Sequence, residues 1–281
     1  MSSLNSLKTR LSSVSSTQKV IKAMELVASS KIKKAREKAE SVALFQKTIE
    51  KSMNDLSGYT QYRNLLKTRN DGYNLYIIIT SDMGLCGAYN ANVIKEFEKQ
   101  IKDDNNYKTV VLGSKGYKKL MYNKYPIMEK IINYGNKDEY ELAKDITKAI
   151  MASWNKEEIK DIKIVYTDMI NPILQETKVI DMFSQEVFKQ SSSATYVTIE
   201  PSEEEVFPIL FEQYILSLLY STILKSLASE HSYRRNSMDT ANKNSLELID
   251  KLSIEFNRVR QSMITQEISE IIGGSESSKK E

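Results

Sequence analysis

Three stretches of the chain carry residue types that could do chemistry. TSDMGLCGAYN, residues 80–90, follows an apolar run and precedes a helical pattern. A glycine-rich turn at such a junction can cradle phosphate on backbone N–H groups. The spacing is neither G-x-x-x-x-G-K-[ST] nor G-x-G-x-x-G, so a tight strand-to-helix turn is the plainer reading, with Gly84 and Gly87 taking unusual backbone angles. Cys86 within it lacks a basic neighbour in sequence and reads as a small packed thiol. LGSKGYKK, residues 112–119, is a second such turn, where Lys115 could meet a phosphate or simply be solvated. EPSEEE, residues 200–205, could bind a cation. It also reads as a helix start, with Ser202 as cap and Glu205 completing a capping box beside a favourable helix dipole.

The remaining candidates are weak. The only histidine, His231, stands beside Glu230 in SEHSYRRNSMD, and adjacent residues do not face each other on a helix. No histidine metal cluster can be assembled, and a Ser-His-Asp triad would have to use this one imidazole. A single cysteine excludes an internal disulfide framework and a cysteine zinc cluster, and fits a reducing compartment. Net charge is +3, so a nucleic-acid argument for the whole molecule fails. The Lys-rich stretch from Lys19 to Lys38 has no aromatics to stack on bases. Its alternatives are a solvated helix face or an acidic protein partner.

The elements that position these residues are read from glycine and proline. None occurs before Gly58, and none between Pro208 and Gly273. The two clean ends could form helices of roughly 80 to 95 Å, too long to pack inside a globule. From the N-terminus an apolar stripe runs Leu4, Leu7, Leu11, Val14, Ile21, Met24, Ala28, Ile32, Ala35, Ala39, Val42, Phe45, Ile49, Met53, Leu56, with a gap at Thr17 and Gln18. A second runs Leu246, Ile249, Leu252, Phe256, Val259, Met263, then Ile264, Ile268, Ile271 and Ile272. Such narrow seams suit a coiled coil, antiparallel if the middle returns the chain to where it left.

The middle reads as α/β. Strands are expected at residues 73–80, 107–113, 161–169, 177–183 and 194–201, and helices near 90–103, 114–123 and 137–154. Their alternation argues for a largely parallel sheet covered by helices. No apolar stretch is expected to span a bilayer. The basic, Ser-rich start is read as mature structure, because its stripe continues unbroken. The expected organisation is a helix over 1–57, a Rossmann-like α/β domain over 58–201, a helix over 202–274 and a flexible tail over 275–281, the two helices forming a long antiparallel coiled coil.

At this point the residues resemble a known family, the gamma subunits of F-type rotary ATP synthases. TQKVIKAMELVASSKIKKA (17–35) is similar to that family's N-terminal helix, and SDMGLCGAYNANV (81–93) resembles its Gly-Leu-Cys-Gly turn. EPSEEEVFPIL (200–210), LASEHSYRRNSMDTANKN (227–244) and FNRVRQSMITQEISEIIGG (256–274) match further blocks in the same order. Met83, Ala88, Lys243, Leu246 and Ser16 depart from the family pattern.

The resemblance implies a rotor shaft standing inside a hexamer of alternating alpha and beta subunits, with the C-terminal end deepest. It implies ATP synthesis coupled to hydrogen ion transport, or hydrolysis in reverse, with no cofactor and no catalytic or metal site in this chain. The epsilon subunit and the c-ring are the implied lower partners, and nucleic acid is not a partner. Location would be peripheral, on the cytoplasmic face of a bacterial membrane. By motif position, Met24 packs close to the C-terminal helix, and Arg260, Gln261, Thr265 and Glu267 fall in the block implied in coupling. Ile268, Ile271 and Ile272 are implied in an apolar bearing at the tip. The competing readings are a gamma-like shaft of an ATPase not coupled to protons, a non-rotary coiled-coil scaffold, and an enzyme binding a phosphorylated ligand at the Gly84 turn.

Overall fold

The computed structural model describes residues 2–57, 69, 71–171, 174–182 and 200–278. The elements are α1 (Ser2–Ser57), β1 (Tyr73–Ile79), α2 (Tyr89–Gln100), β2 (Tyr107–Leu112), α3 (Ser114–Tyr122) and β3 (Ile127–Ile131). A short 3-10 turn (Tyr134–Asn136), α4 (Glu139–Trp154), β4 (Ile159–Met169), β5 (Gln175–Asp181) and α5 (Glu203–Ser278) complete the order. α5 continues past Gly273 and Gly274 into the stretch expected to be a tail. The chain divides into a coil unit, Met1–Val27 with Arg235–Glu281, and a sheet unit, Ala28–Arg234.

In the sheet unit the strand order is β3-β2-β1-β4-β5. β1 pairs in parallel with β2 and β4, β2 pairs in parallel with β3, and β5 closes one edge antiparallel to β4. β1, YNLYIII, is the central strand and is buried along nearly its whole length, which is why it reads as a continuous apolar run instead of an alternation. One face of the sheet packs with α4, the first part of α5 (Phe207 to Ile223) and Met53 of α1. The other face packs Tyr76, Ile78, Val111 and Val165 against Val93 and Phe97 of α2 and Leu120 of α3.

Two expectations change, and one is not reached by the described residues. β3, IMEKI, is a strand that the reading lacked: it is half-exposed, carries two charges, and has little of the apolar signal that marks an interior strand. The strand expected over 194–201 lies, for 194–199, outside the described residues. α5 does contain a window long and apolar enough by composition to cross a membrane. Its apolar side chains are spent in the core, where Phe211, Tyr214, Ile215, Leu219 and Ile223 are all buried. Ser202 caps α5 as expected, its Oγ accepting from Glu205 N at 3.3 Å.

In the coil unit the two helices run antiparallel. Gln18 Nε2 donates to Asn242 Oδ1 at 2.9 Å, and one turn along, Lys22 and Glu25 act on Asp239 and Lys243. Within the coil unit the half-buried stripe of α1 includes Leu4, Leu7, Leu11, Val14, Gln18, Ile21 and Met24, so the gap in the apolar stripe is where the polar pair sits. On α5 the seam runs through Met238, Asn242, Ser245, Ile249, Leu252, Phe256, Val259 and Met263. Leu246, expected in it, is 46% exposed, because Ser245 takes the inward position.

Candidate functional site

Two places answer to the candidates raised by the sequence: the ends of the parallel strands, and the outer end of α5. In an open α/β sheet, ligands bind outside the carboxyl ends of the strands where the strand order reverses. Here the chain moves outward from β1 to β2 and β3, then returns to place β4 on the other side of β1. The crevice is therefore between the ends of β1 and β4.

That crevice is filled by α5. Ser229 Oγ donates to the Thr167 carbonyl of β4 at 2.9 Å, and Tyr89 OH, which donates to the Ile79 carbonyl of β1, shares a 2.7 Å hydrogen bond with Ser226. Small residues at Ser217, Ser221, Ala228 and Ser232 are buried along the same helix and allow close approach. One turn on, Arg234 reaches the Gly84 turn, donating from Nη2 to the carbonyls of Met83 (3.3 Å) and Gly84 (3.4 Å). The same guanidinium pairs with Glu230 at 2.6 Å, both side chains only 8% exposed, and donates to His231 Nδ1 at 3.1 Å. Burial pushes the Glu230 carboxyl up against the pull of Arg234. Burial, with Arg234 and Lys31 alongside, lowers His231 to about 3. His231 is thus a neutral acceptor, committed to orienting an arginine.

The phosphate cradles are occupied by the protein's own groups. Asp82 Oδ1 accepts from Ser114 N (3.0 Å), Ser114 Oγ (2.9 Å) and Asn133 N (2.9 Å), while Oδ2 accepts from Tyr134 N (2.8 Å). A carboxylate therefore stands at the N-terminus of α3, where an anion would be favoured. The next two amides of α3 are also satisfied, Lys115 N by the Ser81 carbonyl and Gly116 N by Thr80 Oγ1. Lys115 lies against Gly84, its Cε 3.5 Å from where a Cβ would stand. In the first turn Gly87 has φ 53, but the second left-handed residue is Leu85 (φ 62), not Gly84. Cys86 is buried, and burial raises its thiol, which suits packing and not attack. The roles of Asp82 and Arg234 were missed in the sequence because their partners lie 32 to 151 residues away.

The outer end of α5 is the opposite case. With Gln18 level with Asn242 and equal rise on both helices, the first residue of α1 comes level with about residue 258 of α5. Met263 is still half-covered, and every residue from Ile264 to Ile272 is exposed, with Ile268 at 51%, Ile271 at 71% and Ile272 at 57%. Arg260, Gln261, Thr265 and Glu267 are exposed on the same stretch, whereas Met24 is half-buried in the seam. The helix is held from within: Thr265 Oγ1 donates to the Gln261 carbonyl, Ser269 Oγ to the Thr265 carbonyl, and Gln266 to Glu270.

The Lys-rich face of α1 is partly neutralised internally. Lys33 pairs with Glu37, Arg36 with Glu40, and Lys38 with Glu139 of α4 at 2.6 Å.

Comparison with known proteins gives a consistent picture. Residues 3–277 match the family model described as ATP synthase. The chain is 35% identical over 290 residues to the ATP synthase gamma chain of Halothermothrix orenii, covering 99% of this chain and 100% of the relative. It is 33% identical to the gamma chain, sodium ion specific, of Acetobacterium woodii, covering 96% and 97%. Among solved structures, the central stalk/c-ring of the Tetrahymena thermophila mitochondrial ATP synthase matches with a TM-score of 0.64 and 25% identity, covering 79% of this chain and 99% of that one. A chain of the Euglena gracilis mitochondrial ATP synthase has the same fold, with a TM-score of 0.69 at 16% identity and coverage of 98% and 94%.

Proposed function

This chain belongs to the ATP synthase family, as a gamma chain, and on that premise we propose that it is the central rotor shaft whose turning is coupled to ATP synthesis or hydrolysis in a hexamer of alpha and beta subunits. The observation that carries the reading is the outer end of α5, which displays every side chain from Ile264 to Ile272. An exposed row of isoleucines needs a surrounding surface to cover it. Alpha and beta subunits supply that surface in this reading, with Ile268, Ile271 and Ile272 in the bearing and Arg260, Gln261, Thr265 and Glu267 in coupling contacts. Met24 stiffens the shaft from within the seam.

The chain itself does no catalysis in this reading. The strand-end crevice that would hold a nucleotide is closed by Ser226, Ser229 and Arg234, and the α3 cradle by Asp82. The enzyme is the complex, and the chain transmits. Transmission requires that each catalytic state prefer one rotor angle, since a shaft matched equally to all states shifts no equilibrium. The lower partners are an epsilon subunit and a c-ring, and the membrane-peripheral stalk lies on the cytoplasmic face of a bacterial membrane.

The test is coupling without loss of assembly. Arg260→Ala and Gln261→Ala are expected to leave the purified complex with its full set of subunits and to lower ion pumping per ATP hydrolysed in inverted membrane vesicles. ATP-driven rotation at the native torque in both variants would overturn the assignment of these residues.

A further inference from the structure

Apart from Lys115, which lies against Gly84, the outer face of α3 has no role in the crevice or in the shaft, and it gathers like charges around exposed large side chains. Its inner side, Gly116 and Leu120, is buried against the sheet. Its outer side displays Lys115, Lys118, Lys119, Met121 and Tyr122, all exposed, with Tyr122 at 83%, and Lys124 follows in the turn beyond. Lys115 with Lys118, and Lys115 with Lys119, are like charges at three and four residues' spacing, which destabilise a helix. Lys115 also stands in the first turn, the end at which the helix dipole disfavours a cation.

Among the described residues the lysines that lie in ion pairs are Lys22, Lys33, Lys38, Lys99, Lys144, Lys178 and Lys243, each beside an acid on the same or a neighbouring element. Among the described residues no ion pair involves Lys115, Lys118, Lys119 or Lys124. The nearby acid Glu98 is turned away, its Oε1 accepting from Asn123 and Tyr125. Lys119 Nζ instead lies 5.7 Å from the ring centroid of Tyr122. A short helix and the turn after it thus concentrate four cations outside ion pairs around two large side chains left in water, a local choice with no compensating acid among the described residues.

We propose that this face docks an acidic protein surface on another subunit of the assembly, with carboxylates meeting Lys115, Lys118, Lys119 and Lys124 and an apolar spot covering Met121 and Tyr122. A protein is favoured over a polyanionic track because the cations surround an apolar centre on a helix of nine residues, about 13 Å long. Lysines at such a surface act as point charges that steer and orient the partner. The inference rests on the gamma-chain reading only for the existence of the other subunits.

The experiment is zero-length carbodiimide coupling on the intact detergent-solubilised complex, which joins a lysine to a carboxylate only where the two touch. Lysine acetylation rates of complex and free chain are compared by mass spectrometry alongside. The expected result is a bond from Lys118 or Lys119 to an Asp or Glu of a different subunit, and at least fivefold slower acetylation of Lys118, Lys119 and Lys124 in the complex. Equal acetylation in complex and free chain, with no coupling, overturns the proposal. Protection that exists in membranes and vanishes on solubilisation assigns the face to lipid, and overturns it as well. Couplings from α1 lysines to alpha or beta subunits, with α3 unreacted, would keep the shaft and sink only this face.

Discussion

Gln18 and Asn242 face each other across the coil and join it by a single amide-to-amide hydrogen bond of 2.9 Å. They form the hydrogen-bonded polar pair in a seam built mainly from Leu, Ile, Val and Met, with Ser245 and Phe256 also facing inward on α5. A lone polar pair in a coiled-coil seam fixes register at some cost in stability, because every shifted pairing leaves an amide buried without a partner. Replacing Asn242 alone by Ala should therefore destabilise the chain by about 1 to 2 kcal/mol. Replacing both by Leu should leave it as stable or more so, and loosen the register. Spin labels at residues 11 and 249 would report this as a broadened distance distribution in the double variant. A distribution as narrow as the native one would mean that the apolar residues alone set the register.

The buried Glu230–Arg234 pair makes a second prediction. Arg234→Met strips Glu230 of its partner in a site only 8% exposed and frees the Met83 and Gly84 carbonyls. Breaking such a pair from one side costs about 3 to 5 kcal/mol. Adding Glu230→Leu should recover most of the loss, since an apolar pair of similar volume is often no worse than a buried ion pair. Urea denaturation of the three proteins checks this, and a double variant as unstable as Arg234→Met alone would refute it.

Acid sensitivity follows from two buried groups with opposite signs. Burial first, and then neighbouring Asp181, raises Asp161 from 3.8 to about 6. A raised aspartate adds stability that is present at low pH and lost as pH climbs through about 6. His231 is lowered from 6.5 to about 3, so its contribution is lost as pH falls below 6.5. Between about pH 4 and 6 each group contributes one proton of opposite slope, about 1.4 kcal/mol per pH unit, and the two cancel. Asp161→Asn should then make the chain lose stability on acidification more steeply than the native protein, and His231→Gln should do the reverse. Denaturant midpoints at half-unit pH steps measure the slopes, and parallel curves for all three proteins would refute the pairing.

What was legible in the sequence divides along the same physical line. The long helices were readable because absence of glycine and proline and a three-and-four apolar spacing are local properties. The interruption at Thr17 and Gln18 was readable as a gap but not as a bond, because its other half stands at Asn242. The motif SDMGLCG read as a turn, and it is one. What holds that turn, Arg234 from α5 and Asp82 across to Ser114 and Tyr134, depends on the sheet being assembled first. Edge strand β3 was invisible because Glu129 and Lys130 dilute its apolar pattern, while pairing with β2 makes it a strand regardless. Leu246 was misplaced because a seam with Asn242 and Ser245 facing inward rotates it outward.

The glycines of the strand-end crevice allow a sharp comparison. Gly113 has φ 97, and a Cβ there would stand 2.4 Å from the Thr80 carbonyl oxygen, which is backbone and cannot step aside. That carbonyl is also fixed by Tyr134 OH at 2.7 Å, and Gly113 N donates to the Ile131 carbonyl at 2.8 Å. Gly113→Ala must therefore strain its own backbone or part β1 from β2 at the point where α3 begins, at a cost of about 3 kcal/mol or more. Gly135, close by in the 3-10 turn, meets nothing within 4 Å of an added Cβ. Gly135→Ala should stay within about 0.5 kcal/mol of the native chain. The two changes add the same methyl group within one small region, so composition cannot explain a difference between them. If thermal melting of the full chain gave equal losses for both, Asp82 and Thr80 would not be holding the β1–α3 junction as rigidly as the hydrogen bonds around them require.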